Sequence, residues 1–375
     1  MKILFTGGGT GGHFYPIISI AQEIAILSKE YRLIVPELYY MAPSPYNPGI
    51  LFDNNIIYKK NTAGKRRLYF SVLNFFDLFK TGWGIITALW DVFRIYPDVV
   101  FGKGGYASFP VLVAAKLLRI PVMIHESDTV PGRVNKWAGK FAARIAVSYD
   151  EAATFFPTDK VAFTGNPIRK ELTEPLKSGA HEFLKLSSDL PTLLILGGSL
   201  GSQIINDTLI DTLPTLLEKF QIIHQTGRAN YKDVLARVET VLINSGNKDR
   251  YKPFDYLNVL ALRMAAGVAD IIVSRAGSAI FEIATWGVPS IIIPITDTNG
   301  DHQRKNAFAY ARSGAAVVIE EANLTPHILA GEITRIIGDA RARETMKRAA
   351  LSFVKQDASR AIAKEILSIA LRHEV

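Results

Sequence analysis

The first fourteen residues, Met1-Lys-Ile-Leu-Phe-Thr-Gly-Gly-Gly-Thr-Gly-Gly-His-Phe14, constrain this chain most. Lys2 to Phe5 read as a short buried strand, and Phe14 to Leu27 as a helix. Between them, Gly7, Gly8, Gly9, Gly11 and Gly12 allow a tight turn and close approach of backbone to a ligand. A glycine turn opening a helix is an anion site, because free N–H groups and the helix dipole both favour negative charge. Gly7, Gly9 and Gly12 also fit the dinucleotide pattern G-x-G-x-x-G, which alone does not separate a ligand loop from a turn. Two further loops add weight: Gly102-Lys-Gly-Gly-Tyr106 and Gly197-Gly-Ser-Leu-Gly201. Each follows a predicted strand and precedes a predicted helix, and three such loops argue for a phosphate-bearing ligand.

Strand and helix alternate throughout, so the fold class is α/β with parallel sheets. At 375 residues the chain exceeds one compact core and predicts two doubly wound, Rossmann-like domains with a cleft between them. In the first half, strands are expected at Tyr31–Val35, Asn55–Tyr58, Asp98–Lys103, Val122–His125, Arg144–Ser148 and Val161–Thr164. The proline-rich stretch from Pro36 to Gly49 reads as a mobile loop. Composition turns polar after Thr164-Gly-Asn-Pro-Ile-Arg169 to about Asp189, which reads as the linker. A second α/β run starts at Pro191, with strands at Gln221–His224, Ile271–Ser274, Ser290–Pro294 and Ala316–Ile319. Helices at about Thr325–Gly338, Ala340–Phe353 and Asp357–Leu371 finish it. The domains are thus set at 1–164 and 170–354.

The absence of cysteine removes disulfides, thiolate metal ligands and a thiol nucleophile. No signal peptide is readable at the start. The formal charge of +8 suits phosphorylated ligands or an anionic membrane surface. Nucleic acid is disfavoured, since no recognition motif or long basic run is present. No His/Asp/Glu cluster has metal-ligand spacing, and there is no G-x-S-x-G elbow, so neither a metal, a cofactor nor serine acyl chemistry is expected.

Two further clusters carry chemistry. In Ile271-Ile-Val-Ser-Arg-Ala-Gly-Ser-Ala-Ile-Phe-Glu282 a strand runs into a helix. Glu282 there can accept from two ribose hydroxyls and Arg275 can face a phosphate. A carboxylate favoured in a first helical turn is the plainer reading. Gln303 and Asn306, one turn apart, suit one face of a sugar. His125-Glu126 ends a strand before Ser127-Asp-Thr-Val-Pro-Gly-Arg-Val-Asn-Lys136, which fits acid–base or hydroxyl-binding roles, or a satisfied structural histidine.

Residues 65–94 stand apart. Lys65-Arg66-Arg67 precede a run rich in Phe, Leu and Trp, including Phe76, Phe79, Trp83, Trp90 and Phe93. Only a narrow polar stripe interrupts it, and Gly82 and Gly84 offer a break into two helices. Asp77 and Lys80 argue against a transmembrane span. The stretch reads either as a helix buried on most sides or as a basic-flanked surface dipping into a lipid interface.

These residues resemble the MurG family of bacterial glycosyltransferases, which add N-acetylglucosamine to the lipid-linked muramyl-pentapeptide precursor of peptidoglycan. The matching segments are Gly8 to His13, Ala63 to Arg67, Pro97 to Tyr106, His125 to Asp128 with Pro131, Gly132, Asn135 and Lys136, Gly165 to Arg169, Gly197 to Ser199, and Ser274 to Gly277 with Glu282. They keep the family's order and span nearly the whole chain. The resemblance implies a GT-B fold whose last helix, about 355–375, packs back on the first domain. It implies UDP-N-acetylglucosamine as donor, held by the second domain, and inversion without a metal. The acceptor, undecaprenyl-pyrophosphoryl-MurNAc-pentapeptide, would meet the first domain at the cytoplasmic face of the cell membrane, with 65–93 against anionic lipid. By motif matching, Thr10, Gly11, Gly12, Arg169, Ser199, Arg275, Glu282, Gln303 and Asn306 would serve the donor. Asp128 stands where many members carry a sugar-contacting Asn. His13, Glu126 and Asn135 would form the reacting centre, with Gly104, Gly105, Tyr106 and His125 near the acceptor.

The expected mechanism is a single displacement, with His13 as base on the acceptor's C4 hydroxyl, or else as a phosphate ligand, and a pKa near neutrality. Rival readings are a GT-B transferase with another lipid acceptor, a UDP-sugar 2-epimerase, a non-catalytic lipid-binding subunit and an NAD-dependent oxidoreductase. The last needs an acid at the end of the second strand, and Glu37 has that spacing.

Overall fold

The computed structural model describes residues 1–65, 73–198, 201–296 and 301–372. The chain forms two compact units, one of Met1–Arg169 with Lys355–Val375 and the other of Lys170–Val354.

In the first unit the strands are β1 (Lys2–Thr6), β2 (Glu37–Ala42), β3 (Ile56–Lys60), β4 (Val99–Gly102), β5 (Val122–Glu126), β6 (Arg144–Val147) and β7 (Val161–Phe163). They lie in the order β3-β2-β1-β4-β5-β6-β7, with every pairing parallel. The second unit contains β8 (Thr192–Leu196), β9 (Gln221–Gln225), β10 (Tyr251–Phe254), β11 (Ile271–Ser274), β12 (Ser290–Ile292) and β13 (Ala316–Val318). Their order, β10-β9-β8-β11-β12-β13, is again all parallel. Counted within each unit, both sheets run 3-2-1-4-5-6, the doubly wound order, and the first adds a seventh strand beside the sixth. Strand order therefore reverses between β1 and β4, and again between β8 and β11. Residues after the paired ends Thr6–Gly102 and Leu196–Ser274 open onto these two switch points. All three glycine loops lie there.

Both faces of each sheet are covered, which is why the strands read as apolar runs. In β1, Ile3 and Phe5 pack with Phe14, Ile17 and Ile24 of the first helix (Gly11–Glu30), whereas Leu4 packs with Val100, Val111 and Leu112 on the other face. The last helix, Ala358–Arg372, adds Ile362, Ile366 and Leu367 to the first face. The second unit has its own core around Leu193, Ile195, Leu209, Ile222, Val273 and Ile291.

Four local expectations change. Tyr31–Val35 is not a strand: the Tyr31 N–H still caps Leu27 of the helix, Arg32 has a left-handed φ of 55°, and Ile34 and Val35 are exposed. The strand is instead Glu37–Ala42, inside the proposed loop, where Tyr40 and Met41 are buried. Residues 170–189 are no linker, because Leu172, Ala180 and Leu184 are buried and the Trp286 Nε1–H donates to the Leu172 carbonyl at 2.7 Å. Tyr251–Phe254 is an edge strand that Pro253 concealed. Gly82 and Gly84 do not break Leu73–Ile95, one continuous helix.

Candidate active site

In the first unit, Thr10 opens the first helix with extended backbone. Its hydroxyl does not cap the helix; it bonds His13 Nδ1 at 2.9 Å. The loop at the other side of the switch point supplies the second wall. A side chain at Gly105, whose φ is +78°, would meet His13 Nε2 at 3.3 Å, so glycine lets this backbone lie beside the imidazole. The ring of Tyr106 lies over Gly9 and is partly exposed. From β2, the buried Tyr40 hydroxyl donates to the Gly7 carbonyl at 2.7 Å and fixes the loop from below. The guanidinium of Arg169 stacks 3.8 Å from the Tyr15 ring centre. Gly11 and Gly12 form the first turn of the helix, and Asp128 sits in the loop after β5.

Expected members of the reacting centre divide here. Glu126 is buried, and its carboxylate accepts from the Ser127 N–H at 2.8 Å, the Asp128 N–H at 3.0 Å, the Gly132 N–H at 2.9 Å and Asn135 Nδ2 at 2.9 Å. Burial and the neighbouring Asp128 carboxylate push its pKa up, against these donors and Lys103. Asn135, also buried, donates to the His125 carbonyl at 2.9 Å, and it lies so close to Gly104 that a Cβ there would fall 2.7 Å from Nδ2. Both side chains help build the loop that carries Asp128 and the close approach to Gly104. His125 is fully buried, with Nε2 bonded to the Gly165 carbonyl at 3.0 Å and to Ser148 Oγ at 3.2 Å. It stands beneath the surface rather than in reach of an acceptor. Its pKa is well below the usual range, through burial first and then Lys103.

His13 keeps partial exposure, yet desolvation and Lys103 lower its pKa to about 4, with Asp128 opposing. The expected value near neutrality is therefore corrected: in the free protein this imidazole is neutral at pH 7.

In the second unit, Gly197 and Gly198 follow β8, and Ser199 lies outside the described residues. Gln225, at the end of β9, donates to the Gly198 carbonyl at 3.2 Å and accepts from the Leu257 N–H at 3.0 Å, which anchors this loop. Arg275 is spent on internal partners: Ser202 Oγ at 2.6 Å, the Ile293 carbonyl at 3.1 Å and Glu321 at 2.7 Å. Burial works to raise the Glu321 pKa, but Thr296 and Arg275 outweigh it and hold the carboxyl below its usual range. Arg275 thus ties the end of β11 to the segments after β12 and β13. Glu282 stands in the first turn of the Ala279–Trp286 helix, partly exposed. In the His302–Arg312 helix, Gln303 accepts from the Ile295 N–H at 3.2 Å, whereas Asn306 is buried and donates to the Ala276 carbonyl at 3.2 Å. Gln303 is thus half-buried and Asn306 buried. Among the described residues no group of three or more His, Asp or Glu side chains is arranged to hold a metal ion.

Sequence reasoning missed Lys103, Ser202, Gln225 and Glu321. Lys103 stood within a glycine loop, a visible signal, but its burial was not; Glu321 has none, since its partner Arg275 is 46 positions away in sequence. Glu37 loses its expected meaning. It opens β2 opposite Lys2, at the far end from the glycine loop, and accepts from the Tyr39 hydroxyl at 2.7 Å. An NAD-binding acid belongs at the other end of that strand.

Two doubly wound sheets, each with glycine loops at its switch point, define a protein of two Rossmann-like domains. Residues 3–147 match the glycosyltransferase family 28 N-terminal domain and residues 192–366 its C-terminal domain. The chain is a family 28 glycosyltransferase of GT-B fold. It belongs to the MurG family. It is 36% identical over 347 residues to "UDP-N-acetylglucosamine--N-acetylmuramyl-(pentapeptide) pyrophosphoryl-undecaprenol N-acetylglucosamine transferase 2" of Bacillus thuringiensis subsp. konkukian, covering 92% of this chain and 94% of the relative. A transferase of the same description from Natranaerobius thermophilus is 36% identical over 379 residues, covering 98% and 100%. Among solved structures, MurG of Acinetobacter baumannii superposes with a TM-score of 0.72 at 25% identity, over 98% of this chain and 99% of that one. A putative UDP-N-acetylglucosamine 2-epimerase from Listeria monocytogenes also reaches 0.72, at 14% identity over 100% and 97%, a likeness of fold alone.

Proposed function

We propose that this enzyme transfers N-acetylglucosamine from UDP-N-acetylglucosamine to the C4 hydroxyl of lipid-linked N-acetylmuramyl-pentapeptide in peptidoglycan synthesis, with inversion and without a metal. The observation that carries this is the full-length match to relatives of that description, set beside glycine loops at both switch points. The second unit, 170–354, takes the donor, through Ser199, Glu282 on the ribose and Gln303 on the sugar; in the first unit the family's donor motifs fall on Thr10, Gly11, Gly12, Asp128 and Arg169. The first unit, through Gly104, Gly105 and Tyr106, takes the acceptor. His13 removes the hydroxyl proton as the oxygen attacks the anomeric carbon and UDP leaves. Its imidazole is neutral in the free protein and so has a lone pair to take that proton. An incoming diphosphate raises its basicity, since a nearby negative charge favours the protonated form. The charge on departing UDP is held by loop N–H groups and helix dipoles.

The enzyme works as a peripheral protein on the membrane face that carries the acceptor. No described helix is long and apolar enough to cross a membrane. The Leu73–Ile95 helix instead exposes Phe76, Phe79, Trp83, Ile86, Trp90 and Phe93.

The test is to incubate the protein with UDP-N-acetylglucosamine and a lipid-linked muramyl acceptor and follow UDP. Release that requires the acceptor, falling by about two to four orders of magnitude in His13→Ala, is expected. Acceptor-independent release, or epimerised donor, would overturn the reading. Near-normal turnover in His13→Ala would remove the histidine from the chemistry.

A further inference from the structure

The Arg169 guanidinium lies 3.8 Å from the centre of the Tyr15 ring, a cation–π contact. Tyr15 is in the second turn of the Gly11–Glu30 helix, and its side chain leans back toward the N-terminus, as helical side chains do. A Cβ at Gly11 would lie 3.1 Å from Tyr15 Cε2 and 2.9 Å from the Tyr46 hydroxyl oxygen. Both phenol rings thus border the first turn, and glycine at position 11 leaves them the room. Tyr46 arrives from the segment between β2 and the Pro48–Asp53 helix. Its φ of 55° is left-handed, a conformation that costs a non-glycine residue and persists only where the surroundings hold it. Aromatic neighbours hold it: the ring lies 5.0 Å from Phe14 and stands edge-on to Tyr15 at 5.8 Å. Phe14 in turn stands edge-on to Tyr40, the residue that fixes Gly7. All of these side chains belong to the first unit.

We propose that Tyr15, braced by Tyr46, is a positioning residue for the transfer reaction, its ring holding the Arg169 guanidinium beside the first glycine loop for the diphosphate of a substrate. The proposal rests on the reading of Arg169 as a substrate contact. Donor and acceptor both carry a diphosphate, and a guanidinium matches the oxygens of either. Stacking engages the flat face of the guanidinium, whereas its N–H donors lie in the plane and point outward from the stack. An arginine on a free stem loses rotamer freedom when it binds, and a ring that fixes it beforehand removes much of that cost. The strained backbone at Tyr46 belongs to the same device, since it sets the edge against which the Tyr15 ring rests.

The experiment is steady-state kinetics of the full chain, with UDP-N-acetylglucosamine and a lipid-linked muramyl acceptor each varied while the other is saturating. In Tyr15→Leu the KM of one substrate should rise roughly three- to tenfold while kcat stays within about twofold. A rise for UDP-N-acetylglucosamine assigns the donor's diphosphate to Arg169, and a rise for the acceptor assigns the acceptor's. Tyr15→Phe, which keeps the ring, should stay near wild type, and Tyr46→Leu should raise the same KM by a smaller factor. The effect of Tyr15→Leu should largely vanish in an Arg169→Gln background, because the ring then has no cation to hold. A merely structural tyrosine would cost the same in both backgrounds. Unchanged KM values in Tyr15→Leu, equal losses in Tyr15→Phe and Tyr15→Leu, or full additivity with Arg169→Gln would each overturn the proposal. If Tyr15→Leu does not fold, Tyr46→Leu, at a ring 40% exposed, carries the same cycle. If Arg169→Gln alone changes neither KM, the reading of Arg169 as a substrate contact fails and the positioning role falls with it. If Arg169→Gln raises a KM that Tyr15→Leu leaves alone, the positioning role alone fails.

Discussion

His13, His125 and His224 share a physical condition that makes acid the weak point of this protein. Each imidazole is held neutral by burial, His13 to about 4, His224 to about 3 and His125 well below the usual range. His224 is buried between the Tyr251 hydroxyl at 2.7 Å and Asn206 Oδ1 at 3.0 Å, a network under the third glycine loop. A base whose folded pKa is depressed contributes stability that is complete above its unfolded pKa of about 6.5. That contribution is lost as pH falls from there toward the folded value, because only the unfolded chain takes up the proton. The loss reaches at most roughly 3 kcal/mol per imidazole by pH 4. Urea unfolding should therefore show stability falling steadily between pH 6.5 and 4, with a shallower fall in His224→Gln; a midpoint constant across that range would contradict it. The roles of Glu126 and Asn135 also belong to this scale. The residue types pointed to catalysis, but four N–H donors converging on one carboxylate are visible only once the 127–135 loop is folded.

The Leu73–Ile95 helix shows how an element can have two faces with different purposes. Thr87 Oγ1 bonds Asn61 Oδ1 at 2.9 Å, Gly84 closes on the Thr62 backbone, and Ala88 and Val92 enter the core. The opposite face repeats every seven residues: Phe76, Trp83 and Trp90 in one row, Phe79, Ile86 and Phe93 in the other, all exposed. Arg94 lies over the Trp90 ring, and Lys80 is exposed beside the stripe. A contiguous apolar face of this kind marks an interaction surface. The sequence left open a helix buried on most sides; exposure rules that out for these six side chains. For a lipid interface, apolar burial and roughly 1 kcal/mol per nearby basic residue both contribute. Wild type should float with anionic vesicles, less so as salt rises. Phe76, Phe79 and Trp83 all changed to Ser should remain folded, bind free UDP as before and float less. If the triple variant floats as well as wild type, the helix is not the lipid contact. If wild type ignores vesicles but dimerises through this seam, a second copy is its occupant.

At the scale of the whole molecule, the chain builds the same doubly wound sheet twice and returns to the first at its end. The last helix lies on the first helix, with Arg360 paired to Glu23 and Glu30 and with Ile362, Ile366 and Leu367 buried. Each unit has its own hydrophobic core. Truncation after Val354 should therefore expose one face of the first unit and leave the second intact. Hydrogen exchange should show protection lost across residues 1–169 and retained across 170–354; uniform loss would show that the units do not fold separately. The milder Ile366→Ala should cost about 2–5 kcal/mol by denaturant unfolding.

What the sequence determined by itself was whatever is written locally. Ile3, Leu4 and Phe5 before a glycine turn specify strand, loop and helix, because period and turn chemistry act over a few residues. Repetition of that unit specified parallel α/β sheets, and the ordered motifs specified the family. Tyr31–Val35 failed because helix capping at Tyr31 and the left-handed Arg32 override an apolar, β-branched run; Pro36 then hid the strand behind it. Residues 170–189 failed because a polar composition says nothing of three apolar anchors spaced along it. Tertiary structure alone decided which polar groups are spent and which are available. Arg275 meets Glu321, Glu126 meets three N–H groups and Asn135, and the Lys103 ammonium meets no hydrogen-bond partner among the described residues. Those outcomes depend on sheet order, which brings the ends of β1 and β4, 96 positions apart in sequence, side by side, and burial then sets the charge state of whatever lies between them.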